Sequence, residues 1–292
     1  MSFTIVTDTA ANLPGALLRE HHMTAIPFCA MFNGEEYAYT TPEEFDSHSY
    51  YDALRNGAQV TTSQVNPDRY IEYMEPILER GEDILFVGVS SGVSGSFSSA
   101  QLARRMLCEK FPERTIRLVD SLSAALGEGL LALQAAACRQ KGMTIEKTAE
   151  YLEKIRTRIY HLFTVDDLQH LRRSGRISHF TATIGSVLGI KPLLKGSDEG
   201  KIVPSDKVRG RRRVLQAMAE KYAALVHDAH KHLVGISHAD CPEEAETLAR
   251  LIREKCPPLD VILTKHEPAT GAHIGPGALA LFFFGDDGVR NA

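Results

Sequence analysis

The chain has 292 residues, more than one hydrophobic core usually organises, so two domains of roughly 130–160 residues are expected. With 43% hydrophobic residues, 24% charged residues and a formal net charge of −4, it reads as globular and soluble, with no global attraction to nucleic acid. Five cysteines (Cys29, Cys108, Cys138, Cys241, Cys256), odd in number and without a CxxC pair, argue against a disulfide framework or a zinc knuckle and for reduced thiols in a cytoplasmic protein.

MSFTIVTDTA carries no signal-peptide core, and no apolar run approaches the roughly 18 residues of a spanning helix. From there, short β-rich runs alternate with helical patterns. FTIVTD (3–8) leads to a helix near Pro14 to Glu20, ILFVGVS (84–90) to FSSAQLARRMLCEK (97–110), and TIRLVD (115–120) to an Ala/Leu-rich helix ending near Arg139. This predicts an N-terminal three-layer, parallel-sheet, Rossmann-like α/β domain over 1–158. IPFCAMFNGEEYAY (26–39) interrupts it as a hairpin turning at Asn33-Gly34.

Past about residue 155 the pattern changes. HLFTV (161–165) leads to a helix expected near Thr164, with Thr164 and Asp167 spaced as a capping box. KPLLKGSDEGKIVPS (191–205) predicts a hairpin around Asp198 to Gly200, followed by a helix of about 20 residues from Arg211. KHLVGISHA, LDVILTKHEP and ALALFFFG read as further strands. Hairpins mixed with helices predict a C-terminal mixed α/β domain with antiparallel strands over 159–292.

In open α/β sheets, ligands sit beyond the carboxyl ends of the strands, where helix N-termini offer unpaired N–H groups. Short polar residues crowd those tips: Asp8-Thr9, Thr61-Thr62-Ser63, Ser90 to Ser96 and Asp120-Ser121. Each suits a helix N-cap, and Asn66 before Pro67 is of that kind. Six serines between 90 and 99 exceed what one helix end requires.

Three chemistries compete for this stretch. Gly88-Val89-Ser90-Ser91-Gly92 matches the GxSxG of a hydrolase elbow, which would pair Ser90 with His238, His266 or His273 and with Asp240 or Asp260. The helix, however, starts several residues past the serine, and no HGGG segment precedes it. A phosphate cradle lacks both GxxxxGK[ST] and a strand-linked GxGxxG, which also disfavours a phosphotransferase acting alone. The third reading is a gripping site for a ligand's head group.

The segments TTSQ (61–64), SSGVSGSFSSA (90–100), LRRSGRIS (171–178), IKPLL (190–194) and AHIGPGALAL (272–281), in this order, resemble the DegV family of bacterial fatty-acid-binding proteins over nearly the whole chain. The resemblance implies two domains holding one long-chain fatty acid in a tunnel between them. Some members serve as the binding subunit of a fatty acid kinase, in which a separate ATP-using subunit phosphorylates the held carboxylate. Carried over by motif, Thr62, Ser63 and Ser94 would be head-group donors, His273 part of the same polar network, and Arg176 near the pocket or its mouth. Asn12, Val65 to Pro67 and Gly189 depart from the family's usual pattern. No cofactor, metal or nucleic-acid partner is implied, and the chain is expected to be a carrier rather than an enzyme.

Several residues carry a plainer reading beside the functional one. His273 lies in a glycine-rich segment expected to be a tight loop. Arg172 and Arg173 suit a helix C-terminus, and Lys191 is either an edge residue or a cation at the pocket mouth. Lys207, Arg209, Arg211, Arg212 and Arg213 read as a solvated face or as a transient contact with anionic membrane. Phe282 to Phe284 and the apolar face of 126–137 are core or ligand wall.

Overall fold

The computed structural model describes residues 3–32, 34–177 and 189–292; the predicted turn residue Asn33 and the end of the GRIS segment, Ser178, lie outside them. The first part runs β1 (Phe3–Asp8), α1 (Gly15–Glu20), β2 (Met23–Ile26), β3 (Cys29–Phe32), β4 (Glu35–Tyr37), α2 (Ser47–Arg55), β5 (Val60–Ser63), α3 (Pro67–Glu79), β6 (Asp83–Gly88), α4 (Ser96–Lys110), β7 (Ile116–Asp120), α5 (Leu126–Gln140) and α6 (Ile145–Ile155). Its main sheet is parallel throughout, in the order β2-β1-β6-β7. Successive side chains of a strand point to opposite faces, and β6 shows the result: Leu85 and Val87 pack with α5 and α6, while Ile84 and Phe86 pack with α3 and α4. The sheet is therefore covered on both sides, as the strand-helix alternation predicts.

The insertion is larger than a hairpin. β5 returns beside β3 to give an antiparallel sheet ordered β4-β3-β5, with Ala30 opposite Thr62 and Cys29 opposite Ser63. The TTS segment is thus an edge strand of this small sheet and not a tip of the parallel one. At the following helix Asn66 acts as foreseen, its Oδ1 accepting from the Arg69 N–H at 2.8 Å.

The second part runs β8 (Ile159–Thr164), α7 (Gln169–Arg173), β9 (Ile190–Gly196), β10 (Ile202–Arg209), α8 (Arg211–Leu225), β11 (Leu233–His238), α9 (Pro242–Lys255), β12 (Asp260–Lys265), α10 (Pro268–Ile274) and β13 (Leu279–Phe284). They form a mixed sheet ordered β10-β9-β8-β13-β11-β12, parallel only between β11 and β12. Tyr160, Leu162, Leu281 and Phe283 turn to α8 and α9, whereas Ala280 and Phe282 join Leu126 and Leu130 of α5 in one core. Strand alternation divides the Phe282 to Phe284 run between the two faces. The protein is α/β, with a parallel-sheet domain followed by a mixed one.

Three local expectations are corrected. Thr164 completes β8, and α7 starts only at Gln169, whose N–H donates to Asp167 Oδ1 at 2.8 Å; the capping-box spacing fell inside a strand, where threonine is equally at home. α8 has 15 residues and stops where Val226 becomes extended. His273 lies in the last turn of α10, and the tight turn is confined to the residues after it, with Gly275 at φ 76° and Gly277 at φ 75°.

Candidate functional site

A cavity of about 1060 Å³, its open mouth included, lies between the inner face of the six-stranded sheet, α10 and the loop after β6. Its walls are mostly apolar: Phe28 and Val93 from the first part, Phe163, Ile202, Ala280 and Phe282 from the second. Thr62, Ser63, Ser94, Arg176 and His273 all line it. Five residues drawn from β5, the loop before α4, the segment after α7 and α10 therefore meet around one space.

Each is held by identifiable contacts. Thr62 Oγ1 lies 3.0 Å from His273 Nε2. α10 is anchored at its start by Tyr50 and Tyr51 of α2, whose hydroxyls donate to the Pro268 and His266 carbonyls at 2.8 and 3.0 Å. Glu267 caps it, its carboxylate accepting from the Ala269 N–H at 2.6 Å and the Thr270 N–H at 2.5 Å. Arg176 is oriented by donating from Nε to the Val93 carbonyl at 3.2 Å and from a terminal nitrogen to the Ser174 carbonyl at 2.6 Å. Burial, and secondarily the Arg176 charge, pushes the His273 pKa down to about 4, so its ring is neutral at physiological pH.

The serine-rich loop divides its labour. Ser96 Oγ accepts from the Val65 N–H at 3.1 Å, Ser99 Oγ from Gln64 Nε2 at 3.1 Å, and Ser94 Oγ from the Ser96 N–H at 3.2 Å. Ser96 and Ser99 fasten α4 to the segment after β5, leaving Ser94 beside the cavity at the start of a 15-residue helix. Ser90 is buried and already committed: its hydroxyl donates to the Gly200 carbonyl at 2.8 Å and accepts from the Gly92 N–H at 3.0 Å. Among the described residues no hydrogen bond joins Ser90 to a histidine. Its hydroxyl holds a turn, and among the described residues no base is hydrogen-bonded to it.

Other polar groups also reach the cavity, of which His161 and Ser123 did not stand out in the sequence and His266 did so only as a possible base for Ser90. His161 and Ser123 meet at 2.8 Å, and His266 is buried with neither ring nitrogen hydrogen-bonded among the described residues. The only available signal for His161 was its spacing from Phe163, which places both on one face of β8. Asn12 supplies Oδ1 to the Glu267 N–H at 2.7 Å, and an acid there would set a second carboxylate beside buried Glu267. Lys191 donates to Asp166 Oδ1 at 2.7 Å and is not a lining residue. Of the basic cluster, Lys207, Arg209, Arg212 and Arg213 are exposed, but Arg211 turns inward to Glu244 Oε2 and the Gly277 carbonyl at 2.7 and 2.6 Å.

Comparison with known proteins agrees with this architecture. The family model described as "Uncharacterised protein, DegV family" matches residues 2–286. A DegV domain-containing protein of Clostridium perfringens (strain 13 / Type A) is 37% identical over 284 residues, covering 97% of this chain and 98% of that one. The crystal structure of DegV from Bacillus subtilis, described as a fatty acid binding protein, superposes with a TM-score of 0.83 at 30% identity, over 98% of this chain and 100% of that one. A fatty acid binding DegV family protein from Streptococcus agalactiae does so with the same TM-score, 0.83, at 26% identity and the same coverage, 98% and 100%. On sequence and on fold alike, the chain belongs to the DegV family.

Proposed function

We propose that this protein binds a long-chain fatty acid in the cavity, with the carboxylate held by Thr62, Ser63 and Ser94 and by the neighbouring His273 and Arg176. The observation that carries the reading is a single apolar cavity that gathers those five polar side chains. The fatty acid binding described for the Bacillus subtilis and Streptococcus agalactiae relatives supports it. Each buried methylene contributes about 0.8 kcal/mol, so a chain of ~14 offers on the order of 11 kcal/mol before ordering costs. A buried, unpaired carboxylate would cost several kcal/mol, and hydroxyl, imidazole and guanidinium donors remove that penalty. None of this requires a catalytic base.

The proposal extends to a carrier role, with the held carboxylate presented to a separate kinase subunit for acyl-phosphate formation. What supports it is the sequence, which has no phosphate-binding loop of its own. Transient contact with anionic membrane would fall to Lys207, Arg209, Arg212 and Arg213; Arg211, committed to Glu244, drops out of that group. The deciding experiment is mass spectrometry of purified, then denatured protein, which should release long-chain fatty acid. Ser94→Ala should retain less of it. Ligand-free protein with no measurable affinity for any acyl chain ends the reading.

A further inference from the structure

His273 can face Thr62 only while α10 ends where it does. The helix closes at Ile274, one residue past His273, and the chain leaves it through the Gly275–Gly277 turn. That exit is pinned from more than one side. The Gly275 N–H donates back to the Gly271 carbonyl at 2.8 Å, the Gly277 N–H donates to the Ala239 carbonyl at 2.7 Å, and the Ala239 N–H donates to the Ala278 carbonyl at 2.8 Å. Asp166 fills the space beside Gly277, where an added Cβ would stand 2.2 Å from Asp166 Oδ2.

Arg211 reaches this turn from the far side of the sheet. It is the first residue of α8, a 15-residue helix whose dipole disfavours a cation at that end, so the charge there answers to something other than its own helix. Its Nε and one terminal nitrogen donate to Glu244 Oε2 at 3.0 and 2.7 Å, and the same terminal nitrogen donates to the Gly277 carbonyl at 2.6 Å. The other terminal nitrogen lies 3.5 Å from Asp166 Oδ1, which also accepts from Lys191 Nζ at 2.7 Å. One guanidinium thus ties α8, α9, the loop after β8 and the turn after α10 together, without itself lining the cavity.

We propose that Arg211 is a positioning residue for the head-group site: by holding Gly277 and Asp166 it fixes the end of α10 and aims the His273 imidazole at Thr62 and at the bound carboxylate. A charged donor suits the task, because a hydrogen bond from guanidinium to a carbonyl is stronger than a neutral one and its planar fork serves Glu244 and Gly277 at once. This inference rests on the fatty-acid reading above and adds a residue that acts on the site through His273.

The test is displacement of a fluorescent acyl probe by stearic acid from the wild type, Arg211→Met, His273→Phe and the double variant. Arg211→Met should bind stearic acid about 3- to 10-fold more weakly than the wild type, the worth of one misplaced hydrogen-bond donor. In the His273→Phe background the same change should make a difference of about 1-fold, since there is no imidazole left to aim. NMR titration supplies a second readout: the His273 pKa, held down to about 4 by burial, should rise in Arg211→Met as the ring loosens toward water. Should Arg211→Met fail to fold, Arg211→Lys replaces it, keeping a charge beside Glu244 while losing the fork that also reaches Gly277. Binding as tight as wild type, a loss of equal size in both backgrounds, or an unmoved His273 pKa each overturns the proposal and leaves the fatty-acid reading standing. If the wild type does not bind stearic acid or the probe, both fall together.

Discussion

Thr62 and His273, 211 residues apart in the chain, meet at 3.0 Å between hydroxyl and imidazole Nε2, tying the edge strand β5 to α10 across the cavity. With the His273 pKa near 4, this is a bond between neutral groups, and a carboxylate arriving beside it gains donors without displacing an existing ion pair. Thr62→Val keeps the shape and deletes the hydroxyl. Loss of one hydrogen bond to a charged group, about 1.5–3 kcal/mol, weakens binding about 10- to 100-fold, whereas Thr62→Ser stays near wild type. Competition against a fluorescent acyl probe measures both.

The serine-rich loop depends on backbone packing as much as on its hydroxyls. A Cβ on Gly92 would stand 2.6 Å from the Glu199 carbonyl and 2.7 Å from that of Gly200, backbone atoms of the β9–β10 turn that cannot swing aside. Gly92→Ala should therefore lift the loop off the turn, break the Ser90 hydrogen bonds and move Ser94. Acyl retention should fall while the thermal midpoint drops by only a few degrees, about 2–4 °C per kcal/mol of strain. Equal retention in wild type and variant would show that the loop's packing does not position the head-group site.

Much of this was legible in the chain, for physical reasons. The parallel sheet announced itself because both its faces are buried and its strands read as apolar runs, as in Ile84 to Val87. Thr62, Ser63, Ser94, Arg176 and His273 were found as motifs, and the fold brings them to one cavity. What stayed hidden depends on distant partners. VTTS is too short and polar to declare itself a strand until Cys29 to Phe32 pairs with it. His161, Ser123 and Arg290 are ordinary residues locally and become a cluster only when β8, the loop after β7 and the C-terminal segment converge. Arg211 looked like one more surface cation because Glu244 and Gly277 are far away in sequence.

Beside the loop after β6 two carboxyls, Asp8 and Glu128, are fully buried next to each other. Asp8 accepts from the Ala10 and Val89 N–H groups at 3.0 and 3.1 Å, and Glu128 accepts from the Thr7 hydroxyl at 2.9 Å. Burial raises both pKa values, that of Asp8 to about 7; the neighbouring Asp8 charge raises Glu128 further, while hydrogen bonds from the Val89 and Ala10 N–H groups and with Glu128 partly offset the rise at Asp8. The folded state thus keeps protons that the unfolded chain releases above pH ~4, so this pair's contribution is lost as pH rises through about 7. Glu128→Gln removes one of the two acids. Its thermal midpoint should fall less than that of wild type between pH 5.5 and pH 8. Buried histidines such as His266 and His273, with lowered pKa values, slope the other way in both proteins and cancel in the comparison. Identical pH slopes would mean that the pair is ionised in the folded state.

Arg290 is 2% exposed and donates to four backbone carbonyls: Ile159 at 2.9 Å, Leu122 at 2.8 Å, Ser197 at 2.9 Å and Arg156 at 2.8 Å. Leu122 and Arg156 belong to the first part of the chain, Ile159 and Ser197 to the second, so one guanidinium stitches the two together behind the cavity. Burial lowers its pKa to about 10, which leaves it charged at neutral pH. Arg290→Ala strips donors from four carbonyls at once and frees His161. Hydrogen bonds to a charged group are worth about 1.5–3 kcal/mol each and do not add fully, so a loss of at least about 3 kcal/mol is expected. Arg290→Lys should rescue little of it, because an ammonium cannot reproduce a planar fork aimed at four acceptors. Thermal or urea unfolding of the two variants measures this directly: a stable Arg290→Lys would mean that charge alone, and not the geometry of the fork, holds the two parts together.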